Sequence, residues 1–273
     1  MKTKGYSSEN SIIKWVGGKR WLTKTIAELL PHDFRTYYEP FLGGGALFFN
    51  ICPKKAVLSD INKDLINAYI QVNKNCERIV RALKRKKISE EYYYRIRNVK
   101  YKDDFRKAAQ FLYLTKTSFN GIYRVNKKGE FNVPFGFKYC TPLCDRENFF
   151  KASKKLKNAA LLSVDFDEAL KGAKKRDLVY LDPPYTVKHD NNGFRKYNES
   201  IFTWEDQLRL ANTAKRLNKI GAYVFISNAH HDEILKLYGG FKKITLSRHS
   251  VLSANANYRT PVKEILMVSK NCL

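Results

Sequence analysis

The stretch Y-E-P-F-L-G-G-G-A-L-F-F, residues 38–49, runs from an apolar segment through a cluster of glycines into a second apolar segment. It predicts a strand, a tight turn and a helix that begins near Ala46. Glycines let a backbone approach a ligand closely, and the N-terminus of a helix offers unpaired N–H donors. Many turns of this kind use glycine for packing alone, so the cluster by itself indicates a ligand site only weakly.

An acidic residue strengthens the indication. Asp60 ends the next apolar run, K-A-V-L-S-D, nineteen residues after Phe41. Nucleoside-binding folds place an acid at this distance, where it accepts hydrogen bonds from the ribose. The alternative is that Asp60 caps a helix over Lys63–Asn67. The turn lacks the Gly-Lys-Ser/Thr ending of a P-loop, which favours a nucleoside without phosphates, such as S-adenosylmethionine, over ATP.

Apolar runs typical of strands alternate with helical patterns through most of the chain. This alternation predicts an α/β fold with a doubly wound, mostly parallel sheet. The predicted helices include Lys19–Leu30 and Glu205–Asn218. The predicted strands are Tyr37–Phe41, Ala56–Ser59, Ala160–Val164, Leu178–Leu181, Ala222–Ser227, Lys243–Leu246 and Glu264–Val268.

The segment 62–150 interrupts this alternation. Its pattern is mostly helical, with runs such as R-A-L-K-R-K-K and E-E-Y-Y-Y-R-I-R, and it holds 20 Lys and Arg against 9 Asp and Glu. We interpret it as an inserted domain that faces a polyanion. Residues 1–61 and 151–273 would then form the other domain.

The whole chain is strongly basic, with 51 Lys and Arg against 26 Asp and Glu and a formal net charge of +25. Such a charge favours a polyanionic partner, although a Lys-rich coding bias would also produce it. The sequence shows no membrane-spanning run and no secretory signal. Its five cysteines show no ligand spacing, so we expect reduced thiols in the cytoplasm and no metal site. We expect His189, His230, His231 and His249 to be surface or capping residues.

The run L-V-Y-L-D-P-P-Y, residues 178–185, predicts a buried strand that stops abruptly. Pro183 and Pro184 cannot continue a ladder, so they would hold Asp182 and Tyr185 in a stiff, extended turn. The Asp182 carboxylate and the Pro183 carbonyl would offer two acceptors beside the flat face of Tyr185. The alternative is that the turn only ends the strand.

Together these motifs resemble the Dam-type DNA adenine-N6 methyltransferases (D12 class, alpha group). Four segments carry the resemblance in the family's order and span almost the whole chain: K-W-V-G-G-K at 14–19, E-P-F-L-G-G-G-A at 39–46, N-G-I-Y-R-V-N-K-K-G-E-F-N-V-P-F-G at 120–136 and D-P-P-Y at 182–185. The resemblance implies a class I S-adenosylmethionine-dependent methyltransferase fold with a seven-stranded sheet. It also implies that 62–150 is a mostly helical target-recognition domain carrying a β-hairpin, and that 1–61 with 151–273 is the catalytic domain.

The resemblance implies a catalytic role for the D-P-P-Y segment on an adenine flipped out of duplex DNA. Asp182 and the Pro183 carbonyl would accept the two hydrogens of the N6 amine while Tyr185 stacks on the ring. Related tetrapeptides serve cytosine-N4 and RNA methyltransferases, which remain alternatives, as does a DNA-binding module that has lost its activity. The segment V-K-H-D-N-N-G-F-R-K-Y-N at 187–198 is expected to be a mobile loop over the target base.

The resemblance also assigns residues to S-adenosylmethionine. Trp15 would stack near the cofactor adenine, for which core packing is the alternative, and Lys19 would lie at the amino-acid end. The remaining cofactor residues are Phe41, Gly43, Gly45, Asp60, Asp165, Phe166 and Asp182.

The DNA-reading residues that the resemblance implies are Lys14, Phe119, Asn120, Arg124, Asn126 and Pro134. N-K-K-G between β-prone runs predicts a hairpin with a positive φ at Gly129. Arg124 matches an arginine that reads guanine, and Phe119 occupies a wedge position where the family often has Tyr. We expect a recognition sequence containing G-A-T, with G-A-T-C favoured, and duplex DNA as the partner, with a cognate restriction endonuclease as a further possible partner.

Overall fold

The computed structural model describes residues 11–126, 128–137, 142–186, 202–249 and 261–272; for Arg248, His249, Pro261 and Val262 only the backbone is described. The predicted loop at 187–198, with His189, lies outside these residues. The strands are β1 Tyr37–Glu39, β2 Ala56–Ser59, β3 Ala159–Leu162, β4 Leu178–Leu181, β5 Tyr223–Ala229, β6 Lys242–His249 and β7 Pro261–Val268. The α-helices are α1 Thr23–Glu28, α2 Ala46–Ile51, α3 Lys63–Lys84, α4 Glu90–Asn98, α5 Asp104–Thr117, α6 Arg146–Leu156, α7 Phe166–Ala169, α8 Trp204–Lys219 and α9 Asp232–Leu237.

In the described residues the strands form a seven-stranded sheet with the order β3-β2-β1-β4-β5-β7-β6. β2 pairs with β3 in parallel, and β4 pairs in parallel with both β1 and β5. β7 runs antiparallel between β5 and β6. The predicted α/β fold with a mostly parallel sheet is confirmed, including the helix that begins at Ala46.

Several predicted boundaries were wrong, and proline accounts for two of them. β1 ends at Glu39 because Pro40 has no N–H to continue the ladder. The helix predicted from residue 19 to residue 30 is confined to α1, since residues 15–22 form turns and Pro31 disfavours helical geometry just before it. The final hairpin is longer than expected, because β6 reaches His249 and β7 begins at Pro261.

The chain divides into two compact units. The first comprises Met1–Glu28 and Leu42–Val164 and contains β2, β3 and the helices α1 to α6. Its longest helix, α3, has buried residues at a spacing of three and four, which turns one apolar face inward: Leu65, Tyr69, Val72, Cys76, Ile79 and Leu83. The predicted recognition segment 62–150 lies within this unit, and its status as a separate domain stays a prediction.

The second unit comprises Leu29–Phe41 and Asp165–Leu273. All four residues of β4 are buried, as a central parallel strand requires, and β5 is buried from Val224 to Asn228. His231 caps α9 by accepting from the Glu233 N–H at 3.4 Å, which is one of the roles predicted for the histidines.

The described part of the chain contains neither a membrane-spanning helix nor a metal cluster. No helix there is both long and apolar enough to cross a membrane. Among the same residues, no cluster of three or more His, Cys, Asp or Glu side chains could hold a metal ion.

Candidate active site

The glycine turn of the first unit is tightly wound before α2. Gly43 and Gly45 have φ of +45° and +64°, and the Gly45 N–H bonds the Leu42 carbonyl at 2.7 Å. A Cβ at Gly43 would lie 2.7 Å from Cδ1 of Trp15. Only glycine therefore fits between this turn and the indole.

Asp60 fixes the same turn from the end of β2. Its Oδ2 accepts from the Gly43 N–H and its Oδ1 from the Asn62 N–H, both at 3.0 Å. Burial raises the pKa of its carboxyl, against the opposing effect of these two N–H groups. Asp60 is not the helix cap that was its alternative role. The cap of α3 is Asn62, whose side chain accepts from the N–H groups of Asp64 and Leu65.

Trp15 and Lys19, the two other residues of the first unit predicted to bind the cofactor, each contact a neighbouring residue. Trp15 stacks on Tyr123, with ring centroids 5.5 Å apart and planes inclined by 24°. Lys19 is buried, and its Nζ lies 3.3 Å from the Gly17 carbonyl oxygen. Their roles toward a cofactor stay predictions.

Residues 119–136, which the resemblance predicts to read DNA and which are called the reading segment, pair back on themselves. The Phe119 N–H donates to the Pro134 carbonyl at 2.9 Å, while the Phe119 side chain is 48% exposed. Asn120 has φ of +53°, a conformation uncommon outside glycine. The structure thus exposes the aromatic ring of Phe119 to solvent, and its role as a wedge stays a prediction.

The tip of this segment is the predicted hairpin. Val125 and Phe131 form an antiparallel bridge, and Gly129 has φ of +75°, as predicted. The Asn126 side chain accepts from the N–H groups of Lys128 and Glu130. Asn126 therefore shapes the turn, whatever it contributes to DNA.

Arg124 and Lys14 both lie on the surface of the first unit. Arg124 donates from Nε to Oδ1 of Asn132 at 2.8 Å, across the hairpin. Lys14 is exposed, and its aliphatic stem packs on Gly121. Sequence reasoning did not identify Asn132, which holds the guanidinium in place.

In the second unit, the D-P-P-Y segment follows β4 directly and leaves the ladder, as predicted. Ser227 on β5 donates to Oδ1 of Asp182 at 2.6 Å. Oγ of Ser227 also lies 3.1 Å from the hydroxyl of Tyr180. Because the serine proton is directed to Asp182, the tyrosine must donate to the serine, and burial raises the Tyr180 pKa well above its ordinary value.

Tyr185 is anchored by a second buried group. Its hydroxyl donates to Oε2 of Glu264, on β7, at 2.8 Å. Burial, with Asp182 and Glu264 nearby, raises the Tyr185 pKa well above its ordinary value, so the phenol stays a neutral donor. Sequence analysis missed the roles of Ser227 and Glu264 because only the pairing of β5 with β7 reveals them. Ser227 pairs with Leu266 and Ala229 with Glu264, which places Ser227 and Glu264 on the same face of the sheet.

Asp165 and Phe166 lie at the start of α7 in the second unit. Asp165 caps α7 and receives two bonds from Arg209, at 3.3 and 3.0 Å. The Arg209 guanidinium also lies 4.6 Å from the centre of the Phe166 ring. Phe166 is buried and contacts Phe41 at 5.6 Å. The structure thus brings together three predicted cofactor residues and adds Arg209, which the sequence did not suggest.

The family model of the D12 class N6 adenine-specific DNA methyltransferases matches residues 15–252. This chain belongs to that family. The match spans both units and all the motifs described above, apart from Lys14.

Curated relatives agree with the family. A type II methyltransferase of Lactococcus lactis subsp. cremoris is 36% identical over 267 residues, which cover 94% of each chain. A type II methyltransferase of Methanocaldococcus jannaschii is 37% identical over 86% of this chain and 91% of the relative. The DNA adenine methylase of Escherichia coli K12 is 34% identical over 95% of each chain. This D12-class protein is therefore an adenine-specific DNA methyltransferase, and the cytosine and RNA alternatives are not favoured.

Proposed function

We propose that this methyltransferase moves a methyl group from S-adenosylmethionine to N6 of an adenine flipped out of duplex DNA, within a sequence containing G-A-T and most simply G-A-T-C. The observation that carries the proposal is the anchored D-P-P-Y segment. Asp182 and Tyr185 are held by Ser227 and Glu264 at hydrogen-bond distances of 2.6 and 2.8 Å. Groups fixed in advance cost no reorganisation when charge develops on a substrate.

The chemistry of N6 explains why acceptors are needed. The lone pair of the adenine amine is conjugated into the ring and is a poor nucleophile. In this proposal, Asp182 and the Pro183 carbonyl accept hydrogen bonds from the two N–H groups of N6, which favours a pyramidal nitrogen. They also stabilise the positive charge that develops on N6 as its bond to the methyl group forms and the methyl–sulfur bond breaks, after which N6 releases one proton. Tyr185 stacks on the ring, and its bond to Glu264 fixes the orientation of its own ring. No nucleophilic side chain or metal takes part.

The glycine turn and Asp60 fit the nucleoside part of S-adenosylmethionine, which would supply an electrophilic methyl group. Asp60 uses one lone pair on each oxygen for Gly43 and Asn62, and each carboxylate oxygen has a second. A pair of ribose hydroxyls matches those acceptors. Trp15 and Lys19 of the first unit, and Phe41, Asp165 and Phe166 of the second, are proposed cofactor contacts on the strength of the family motif.

The reading segment supplies the proposed DNA contacts. A guanidinium can donate to O6 and N7 of one guanine at the same time. The Nε of Arg124 already donates to Asn132, which leaves the two terminal nitrogens of the guanidinium to read the base. The exposed ring of Phe119 would enter the base stack, with Asn120 against the unpaired partner base. Lys14 and Pro134 complete the proposed contact set. Because two relatives are named type II methyltransferases, a cognate endonuclease is a further proposed partner.

Tritium transfer from labelled S-adenosylmethionine to duplex DNA tests the proposal. Digestion of the product to nucleosides should place the label in N6-methyladenine, and duplexes lacking G-A-T should gain little. Label in N4-methylcytosine, or transfer to RNA alone, would overturn it. Binding of DNA without any transfer would instead support the inactive DNA-binding module.

A further inference from the structure

One tyrosine of the reading segment contacts the residue that packs on the glycine turn. Tyr123 immediately precedes Arg124, and its ring stacks on Trp15 with centroids 5.5 Å apart. The Trp15 indole in turn lies so close to Gly43 that a Cβ there would come within 2.7 Å of it. Two contacts therefore connect the hairpin to the turn proposed to hold the cofactor.

A second connection leaves Tyr123 through its hydroxyl. The phenol donates to Oδ2 of Asp64 at 3.1 Å. Asp64 lies in the first turn of α3 and donates its own N–H to the cap residue Asn62. Asn62 donates to Asp60, the proposed ribose acceptor. The Tyr123 side chain is thus connected both to the glycine turn, through Trp15, and to Asp60, through Asp64 and Asn62.

The neighbouring residues reinforce the contact. The aliphatic stem of Lys14 packs on Gly121, where a Cβ would lie 2.4 Å from Cδ of the lysine. The Tyr123 ring also contacts Phe111 of α5 at 5.3 Å and Phe131 of the hairpin at 5.7 Å. Residues 14–15 and 121–123 therefore pack together at two successive positions, which would make it difficult for one stretch to move alone.

We propose that Tyr123 is a positioning residue that links cofactor binding to DNA reading. This inference rests on the proposed function. A ligand that orders one of two packed segments lowers the entropy cost of ordering the other, so the second ligand binds more tightly. Linkage is reciprocal, so DNA should raise the affinity for the cofactor and the cofactor should raise the affinity for DNA by the same factor.

Calorimetry of the full chain with S-adenosylhomocysteine, with and without a duplex that the wild type methylates, measures this factor. We expect the wild type to bind the analogue at least about fivefold more tightly with DNA present. Tyr123→Leu should reduce the factor below about twofold. Tyr123→Phe keeps the stack and should retain most of the effect, as should the control Tyr94→Leu, which removes a half-buried ring that contacts Tyr93 and Arg97 of α4.

A coupling factor unchanged in Tyr123→Leu, or absent in a wild type that binds both ligands, would overturn the inference alone. A wild type that methylates no DNA would instead contradict the proposed function. If Tyr123→Leu does not fold, hydrogen exchange of the wild type decides the question. S-adenosylhomocysteine without DNA should then slow amide exchange in residues 119–126, and unchanged exchange there would overturn the inference.

Discussion

The D-P-P-Y segment and the reading segment are supported in opposite ways. Asp182 and Tyr185 are bonded to the side chains of Ser227 and Glu264, which are almost fully buried. Arg124, in contrast, is bonded to Asn132 in an exposed hydrogen bond. A hydrogen bond to a buried side chain is costly to break, whereas an exposed one is easily exchanged for water. The comparison indicates that the groups proposed for chemistry are fixed by buried side chains, whereas the Arg124 guanidinium, oriented by an exposed hydrogen bond, keeps more freedom to adapt to DNA.

Replacing Asp182, one of the two groups held by buried side chains, should have the largest effect. Asp182→Ala should lower kcat by about 10²–10³, because one preorganised group at a developing charge contributes about 3–4 kcal/mol. DNA affinity, measured by fluorescence anisotropy, should change little. Near-normal turnover would remove Asp182 from the mechanism.

Removing the reading arginine tests the adaptable side. Arg124→Ala should cost about 1–3 kcal/mol at one base pair and relax discrimination there, while kcat on the best sequence falls less than for Asp182→Ala. A panel of duplexes, each with one altered base pair, measures this. A uniform loss across the panel would make Arg124 a phosphate contact and end the specificity assignment.

Asp60 extends the comparison to the glycine turn. Asp60→Ala should weaken binding of S-adenosylhomocysteine about 10–100-fold, since a hydrogen bond to a charged group contributes about 1.5–3 kcal/mol. Asn62→Ala is the matched control, because it removes the α3 cap and about 1 kcal/mol of stability but not the proposed ribose acceptor. Equal loss of cofactor affinity in both variants would reduce Asp60 to a structural role.

Replacing Ser227 tests whether its hydrogen bond to Asp182 affects the reaction rate. Ser227→Ala should lower kcat about tenfold with KM nearly unchanged, because Asp182 loses one hydrogen bond that orients it. Ser153→Ala on α6 is the control, since it also removes a hydroxyl bond, to the Asn73 carbonyl, in the other unit. Rates that fall equally in the two variants would indicate a general loss of stability.

The basic run at 81–87 should give the smallest effect. Lys84 is exposed, and Lys84→Ala should weaken all DNA sequences alike and reduce the slope of log K against log salt by about one unit if it contacts a phosphate. Lys86 is the control within the same run. Its ammonium lies 5.5 Å from the centre of the Tyr113 ring, and burial lowers its pKa. Lys86→Ala should leave the salt slope unchanged, and identical slopes for all three proteins would exclude Lys84 as a phosphate contact.

Local sequence predicted those parts of the molecule that depend on local chemistry. β2 and β4 were predicted at their observed bounds, α2 begins at the predicted residue, and Gly129 has the predicted positive φ. Helix α1 was overextended because apolar periodicity continued through residues that form turns. The D12-class family itself was correctly recognised from ordered motifs.

The supporting residues could not be predicted in the same way. Glu264 follows Tyr185 by 79 positions, and Ser227 follows Asp182 by 45. Neither has a motif of its own, and their shared face follows from the pairing of β5 with β7. Arg209 reaches Asp165 from α8, again 44 positions away. Side chains that act through a distant neighbour leave no periodic signal in the chain.

The contact between Trp15 and Gly43 has a consequence for protein engineering. A side chain at Gly43 would meet the indole at 2.7 Å and would also have to accept φ of +45°, at a cost of about 1–2 kcal/mol. Randomising position 43 alone should therefore return glycine. Randomising positions 15 and 43 together opens the position, because a smaller residue at 15 removes the clash and leaves only the backbone cost. The two positions are in effect a single unit of sequence choice, and a library that treats them separately would miss every variant that needs both changes.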